Sequence, residues 1–296
     1  MYPSRFRYEA PTTIDEAVGL LGEGDGEAKV LAGGQSLVPM IKLRFANPEL
    51  LVDINGLPGL DYHRTDADGT LRIGALTRHA TLEHSALLVG AHPTLAAVAP
   101  LVADPLVRSR GTLVGSLCHA DPQGDWASAV TALGGSVIAH GPGGQRAIAI
   151  RDFVRGPFTN ALGFDEVAVE AVIPAPRGTP YGGYLKLERR VGDFATAGVA
   201  VALATQGPSG PVVTAGIALT GVGSATIDAE AAAAAVMGGP LTAGSIERAA
   251  DLAAEAAQPR SDHRGSAEYK RHIVHTFTKR ILTRIANGQE RAATAA

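Results

Sequence analysis

Cysteine is almost absent from this sequence: Cys118 stands alone among 296 residues. One thiol excludes an intrachain disulfide. It also excludes an all-protein iron–sulfur site, because a cluster takes about four cysteine ligands. Aromatic residues make up only 5%, against 36 glycines, a mix that favours close backbone packing and turns over aromatic-rich recognition surfaces. An excess of charge is missing too: a formal net charge of -3 provides neither a basic face for nucleic acid nor an acidic tail. No apolar run approaches the ~20 residues of a membrane helix. The first residues hold no continuous apolar stretch, so no secretory leader is expected.

What is present suits two domains of ordinary size. Hydrophobic residues at 46% against 19% charged leave ample material for packed cores. Thr13-Ile14-Asp15-Glu16 has capping-box spacing and opens a helix to about residue 21. Strands are expected at 28–31, 50–54 and 71–76, a helical turn or two at 37–45, and one or two helices over 81–102 broken at Pro93. Residues 111–125 show no clear period, and 126–133 turn helical. Strands at 136–140 and 145–150 flank Gly141-Pro142-Gly143-Gly144, a hairpin signal, and 165–173 alternates like a strand. The run Pro174-Ala175-Pro176-Arg177-Gly178-Thr179-Pro180 reads as a linker. Beyond it, strands at 181–189, 196–205 and 212–220 precede helices near 228–237, 245–257 and 266–285, the order of a separate α+β domain.

Two stretches carry the chemistry. In Val30-Leu31-Ala32-Gly33-Gly34-Gln35-Ser36-Leu37 a buried strand runs into two glycines, a polar pair and a helix start. Glycines let backbone N–H groups approach an anion, and Ser36 can donate a hydroxyl hydrogen bond, so the turn reads as a phosphate cradle. An ordinary strand–helix turn with Ser36 as N-cap is the competing reading. The dinucleotide fingerprint fails, because Gly22-Glu23-Gly24-Asp25-Gly26 precedes the strand. A nucleophile elbow fails at Val38, where glycine is required. The second stretch, Arg110-Gly111-Thr112-Leu113-Val114-Gly115-Ser116-Leu117-Cys118-His119-Ala120-Asp121-Pro122-Gln123-Gly124-Asp125, offers small residues against which a flat ring can lie. Its polar groups Thr112, Ser116 and Asp125 suit a polar cofactor. His272, His275, Trp126 and Cys118 read as surface or packing residues.

Taken together, these motifs resemble the flavoprotein subunit of molybdenum hydroxylases, most closely the medium subunit of aerobic carbon monoxide dehydrogenases. The likeness continues through Tyr184-Leu185-Lys186-Leu187-Glu188-Arg189-Arg190-Val191-Gly192-Asp193-Phe194-Ala195 and ends at Ser266-Ala267-Glu268-Tyr269-Lys270-Arg271. It implies an α+β fold: a two-lobed FAD-binding domain of the vanillyl-alcohol-oxidase (PCMH) type over 1–177, with lobes of about 1–57 and 58–177. An α+β C-terminal domain with a three-stranded antiparallel sheet and helices follows over 178–286, then a flexible tail at 287–296. The resemblance assigns FAD to this chain, with Ala32, Gly33, Gly34, Gln35, Ser36 and Leu37 on the pyrophosphate. Gly111, Thr112, Val114, Gly115, Ser116, His119 and Ala120 would lie along the flavin, and Val102, Asp125, Leu162 and Lys186 would make further contacts.

No catalytic acid or base and no metal ligand is expected. The [2Fe-2S] clusters and the molybdenum cofactor belong, on this likeness, to a small iron–sulfur subunit and a large molybdenum subunit in a dimer of heterotrimers. The complex would be cytoplasmic or peripheral at the inner face of the membrane, passing electrons to an external acceptor. Two departures stand out. Val114-Gly115 replaces the family's frequent glycine pair, and a β-branched residue is ill suited to positive φ. His119 stands where many relatives carry Asn. Rival readings are a self-contained flavin oxidase on the same fold and a non-redox nucleotide-binding protein.

Overall fold

The computed structural model describes residues 2–288; of the expected tail, 289–296 lie outside the described residues. The chain begins with a small parallel sheet of β1 (Arg7–Glu9), β2 (Ala28–Leu31) and β3 (Leu50–Asp53), in the order β1-β3-β2. The helix Ile14–Glu23 makes the crossover and buries Ala17, Val18 and Leu21. Thr13 caps it by accepting from the Glu16 N–H. The Glu16 carboxylate reaches back to Thr12 rather than Thr13, so the capping box is displaced by one residue. β1 has no buried side chain, which is why hydropathy does not announce it.

The second sheet has five antiparallel strands in the order β4-β5-β10-β6-β7. They are β4 (His63–Thr65), β5 (Leu71–Gly74), β6 (Ser136–Gly141), β7 (Gly144–Ala149) and β10 (Val167–Ile173). A side hairpin of β8 (Val154–Gly156) and β9 (Thr159–Asn160) precedes the last of these. The β6–β7 hairpin turns at Pro142-Gly143, with Gly144 at φ +93°. Helices fill the interval between β5 and β6. Where one or two helices broken at Pro93 are expected, three short ones form: His79–Glu83, Ala86–Ala91 and Pro93–Val98. Pro93 opens a helix instead of ending one, as the missing N–H of proline permits in a first turn. Residues 111–125, without a visible period, contain the seven-residue helix Leu113–His119. Its buried Leu113, Val114 and Leu117 span too few turns to display a period.

The third sheet is antiparallel in chain order: β11 (Thr179–Leu187), β12 (Ala197–Thr205), β13 (Val212–Thr220) and a two-residue β14 (Ile227–Asp228). The last strand is an addition to the three expected. All nine residues of β12 are buried, because the sheet is covered on both faces. Val199, Val201 and Leu203 join a core with Ile246, Ala253, Val274 and Ile281 from the helices Ala243–Ala256 and Ala267–Ala286. Ala200, Ala202, Ala218 and Tyr184 join the core of the preceding half of the chain.

That second face is made of small residues in register: Gly182, Ala202 and Gly216 form one row, Tyr184, Ala200 and Ala218 the next. The helices Pro93–Val98 and Asp125–Ala132 therefore lie almost on the sheet backbone. A Cβ at Gly182 would fall 2.0 Å from Thr94 Oγ1, and one at Gly216 only 1.9 Å from the Ala132 carbonyl oxygen. The Thr94 hydroxyl donates to the Val201 carbonyl at 2.9 Å, tying helix to central strand. Replacing Gly216 with Ala should lower unfolding free energy by about 1–3 kcal/mol through overpacking. Urea unfolding monitored through Trp126 measures this. A midpoint equal to wild type would mean that helix and sheet part without cost.

Candidate functional site

β2 delivers the chain into the turn Ala32-Gly33-Gly34-Gln35-Ser36, and the helix Leu37–Lys42 leads it away. Gly34 has φ +74°, a conformation a side chain resists. Backbone N–H groups almost always find partners, yet none at Gly33, Gly34, Gln35, Ser36 or Leu37 donates to an acceptor among the described residues. Ser36 stands at the N-cap position of that helix, as the competing reading has it, but its hydroxyl makes no capping bond. Five consecutive free N–H groups and a hydroxyl form a donor set that fits the oxygens of a phosphate or diphosphate.

The second expected stretch lies directly against the first. A Cβ at Gly33 would sit 2.4 Å from the Arg110 carbonyl oxygen and 2.7 Å from Gly111 Cα. Gly111 in turn presses on the His79 ring, whose Nε2 would be 2.8 Å from an added Cβ. The next residue, Thr112, caps the helix Leu113–His119 by accepting from the Gly115 N–H at 3.1 Å. Gly115 leaves room for that hydroxyl, since a Cβ there would meet it at 2.7 Å. Val114 is helical and 2% exposed, so positive φ does not arise and its side chain belongs to the core. Ser116 is half-buried. His119 leans on Phe158 with ring centroids 5.2 Å apart, and burial lowers its pKa. Ala120 ends the helix in the left-handed region at φ 51°. Asn160 fastens this end: its amide donates to the Cys118 carbonyl and accepts from the Leu162 N–H.

Three residues that sequence reasoning passed over hold the two stretches together. Asn55 Nδ2 donates to the Ala32 carbonyl at 2.8 Å. Arg78 donates from one nitrogen to Asn55 Oδ1 at 2.8 Å and from another to the Arg110 carbonyl at 2.7 Å. His79 donates its backbone N–H to the Gly111 carbonyl and accepts the Trp126 indole N–H on Nδ1 at 3.0 Å. Burial, with Arg108 and Arg78 nearby, pulls His79 down to about 4, so the ring is neutral with its proton on Nε2. No local pattern in the sequence marks these roles, which depend on contacts between distant segments.

Asp125 and Lys186 form the third part. Asp125 Oδ1 accepts from the Tyr184 hydroxyl at 2.7 Å, and Oδ2 lies 3.2 Å from Lys186 Nζ. Burial pushes the Asp125 carboxyl up, while the Lys186 ammonium and Tyr184 hydroxyl oppose the rise. Lys186 is neither solvated nor free. Its ammonium also donates to the Leu101 carbonyl at 2.6 Å and the Asp193 carbonyl at 3.1 Å, and Glu188 Oε2 lies 3.1 Å away. Val102, next to Leu101, accepts from Arg108 through its own carbonyl. The contacts gather Val102, Asp125 and Lys186 in one group, and join residues 32–37 to 110–116 in another. The helix Leu113–His119 and the neighbouring Asn160–Leu162 segment extend the second. Because Lys186 is 1% exposed and faces two carboxylates, Lys186→Met should destabilise the protein by about 3–5 kcal/mol, the cost of stranding buried charge. Thermal unfolding reads this directly, and an unchanged Tm would show that the carboxylates are already neutral.

The sequence matches two family descriptions in order: "FAD binding domain in molybdopterin dehydrogenase" over residues 4–176 and "CO dehydrogenase flavoprotein C-terminal domain" over 183–285. It is 40% identical to the carbon monoxide dehydrogenase medium chain of Hydrogenophaga pseudoflava, over 95% of this chain and 97% of that one. It is 35% identical to the 6-hydroxypseudooxynicotine dehydrogenase complex subunit alpha of Paenarthrobacter nicotinovorans, over 96% and 95%. The solved carbon monoxide dehydrogenase of Hydrogenophaga pseudoflava that lacks the Mo-pyranopterin moiety superposes with a TM-score of 0.92 at 41% identity, covering 99% of this chain and all of that one. The chain belongs to the FAD-binding flavoprotein subunits of the molybdenum hydroxylases, an oxidoreductase family that includes the carbon monoxide dehydrogenase medium chains.

Proposed function

We propose that this chain holds one FAD non-covalently and works as the electron-transfer subunit of a cytoplasmic, heterotrimeric molybdenum hydroxylase of carbon monoxide dehydrogenase type. Its partners are a small iron–sulfur subunit and a large molybdenum subunit, assembled as a dimer of heterotrimers. When bound, the flavin would supply the redox chemistry linking the partner's clusters to an external acceptor. The observation that carries the reading is the row of free N–H groups at 33–37, which we assign to the FAD pyrophosphate. Residues 111–116, with His119, Ala120 and Leu162, flank the ribityl chain and ring system, and Val102, Asp125 and Lys186 close the far end. We place the domain boundary after residue 177, with the FAD-binding lobes dividing near residue 57.

The chain's own residues bind and orient, and two titratable groups of the site are already engaged. The Asp125 carboxylate is taken by Tyr184 and Lys186, and His79 is neutral and spent on Trp126. Carbon monoxide is favoured as substrate of the whole complex by the relative at 40% identity. A relative at 35% is named for a nicotine-derived compound, so the choice of substrate lies in the partner chain.

Purified chain should release its flavin into the supernatant on acid precipitation, at about one FAD per protein. Substituting Gly34 with Val should cut FAD affinity by at least about tenfold, since a side chain at φ +74° both strains the turn and crowds the donors. Retained flavin in a folded Gly34→Val protein would overturn the cradle assignment. In anaerobic spectra the single chain with FAD should stay oxidised under carbon monoxide, and bleach only once the iron–sulfur and molybdenum subunits are added. Bleaching by a substrate without any partner would convert the reading to a self-contained flavin enzyme.

A further inference from the structure

In a trans peptide the C=O of one residue and the N–H of the next lie in one plane and point in opposite directions. Two such planes precede the glycines of the site, Ala32–Gly33 and Arg110–Gly111, and no cis peptide interrupts them. The Ala32 carbonyl is held by Asn55 Nδ2 and the Arg110 carbonyl by Arg78, while Arg78 also holds Asn55 Oδ1. One guanidinium therefore sets both planes through a single chain of hydrogen bonds. Gly33 packs on the same Arg110 oxygen that Arg78 grips, which brings the guanidinium close to the free N–H groups. With Ala32 C=O turned toward Asn55, the Gly33 N–H is turned away from it, as the first donor of the row.

Arg78 also has no direct ion-pair partner among the described residues, although Asp61 and Asp53 act on it at longer range. It is half-buried, and its partners are a carbonyl and an amide oxygen; no carboxylate among the described residues is in ion-pair contact with it. Burial first, and then the nearby Arg110, pull its pKa down, and Asp61 and Asp53 only partly oppose the fall. A half-buried guanidinium is retained where a planar fork must grip oxygens at fixed positions and its charge finds an anion.

We infer that Arg78 is a positioning residue for the cofactor: it aligns the two glycine turns through Asn55 and the Arg110 carbonyl, and lends its positive charge to the diphosphate rather than to the flavin ring. The inference rests on the FAD reading above. Full-length chain stripped of flavin should be titrated with FAD and with riboflavin, which lacks phosphate, following flavin fluorescence at low and high salt. Arg78→Gln should weaken FAD binding about tenfold or more, the loss of charge-assisted hydrogen bonds, leave riboflavin within about twofold, and flatten the salt dependence. Arg78→Lys should restore the salt dependence yet remain several-fold weaker, because an ammonium cannot grip both oxygens. Arg64→Gln, at an exposed arginine stacked on Tyr62, should match wild type. FAD affinity equal to wild type in Arg78→Gln, or equal losses for FAD and riboflavin, overturns the inference. Should Arg78→Gln fail to fold, Arg78→Lys decides, and unchanged FAD affinity there overturns it too. Wild-type protein that takes up no FAD overturns the FAD reading itself and this inference with it.

Discussion

Backbone pressed against backbone is the constraint on which this structure depends. At Gly33 the turn after β2 meets the Arg110 carbonyl with no room for a methyl group, and that contact brings together two candidate cofactor stretches that are distant in the sequence. At Gly182 and Gly216 the same device seats two helices on the C-terminal sheet. A larger side chain at any of these positions separates elements by more than its own size, because packed interiors leave little slack. Part of the glycine and alanine content is interface composition, in keeping with the close backbone packing expected from it.

The contacts at the sheet also tie the two halves of the site to the fold. The helix Asp125–Ala132 packs on β13 through the Ala132 carbonyl at Gly216, and its first residue is Asp125, which meets Tyr184 and Lys186 from β11. Its second residue, Trp126, fixes the His79 ring that backs Gly111. One helix thus carries position from the C-terminal sheet to the second glycine stretch, and Gly33 passes it on to the first. No flexible segment intervenes among these contacts.

How much of this is legible in the sequence follows from what each feature needs. Strands β2, β3, β6 and β10 announce themselves because local hydropathy and turn residues mark them. The strand β1 does not, since its residues Arg7, Tyr8 and Glu9 are polar or exposed and only the neighbouring β3 makes it a strand. The turn at 32–36 is readable because a glycine pair after an apolar run has a local meaning. Arg78 and Asn55 are unreadable by the same standard: each matters for a carbonyl that belongs to a segment 20 or more positions away. The helix Leu113–His119 hides for a different reason, as two turns are too few to show a period and Thr112 shows itself as a cap only through the Gly115 N–H.

Charge at the site divides along its length, and not as the strand lysine suggests. Lys186 invites the expectation of positive charge beside the flavin, yet it faces Asp125 and Glu188 at 3.2 and 3.1 Å. One ammonium between two carboxylates leaves no surplus positive charge to offer. At the other end Arg78 is half-buried with only neutral oxygens as partners, and Arg110 is next to it. The positive potential therefore sits by the glycine turns, and the Asp125 end is neutral to negative. A ligand that sets a diphosphate by the glycine turns and an uncharged ring system toward Asp125 fits that gradient, whereas a ligand charged throughout does not. The buried lysine keeps its separate task, which is to hold the Leu101 and Asp193 carbonyls and Asp125 in one place.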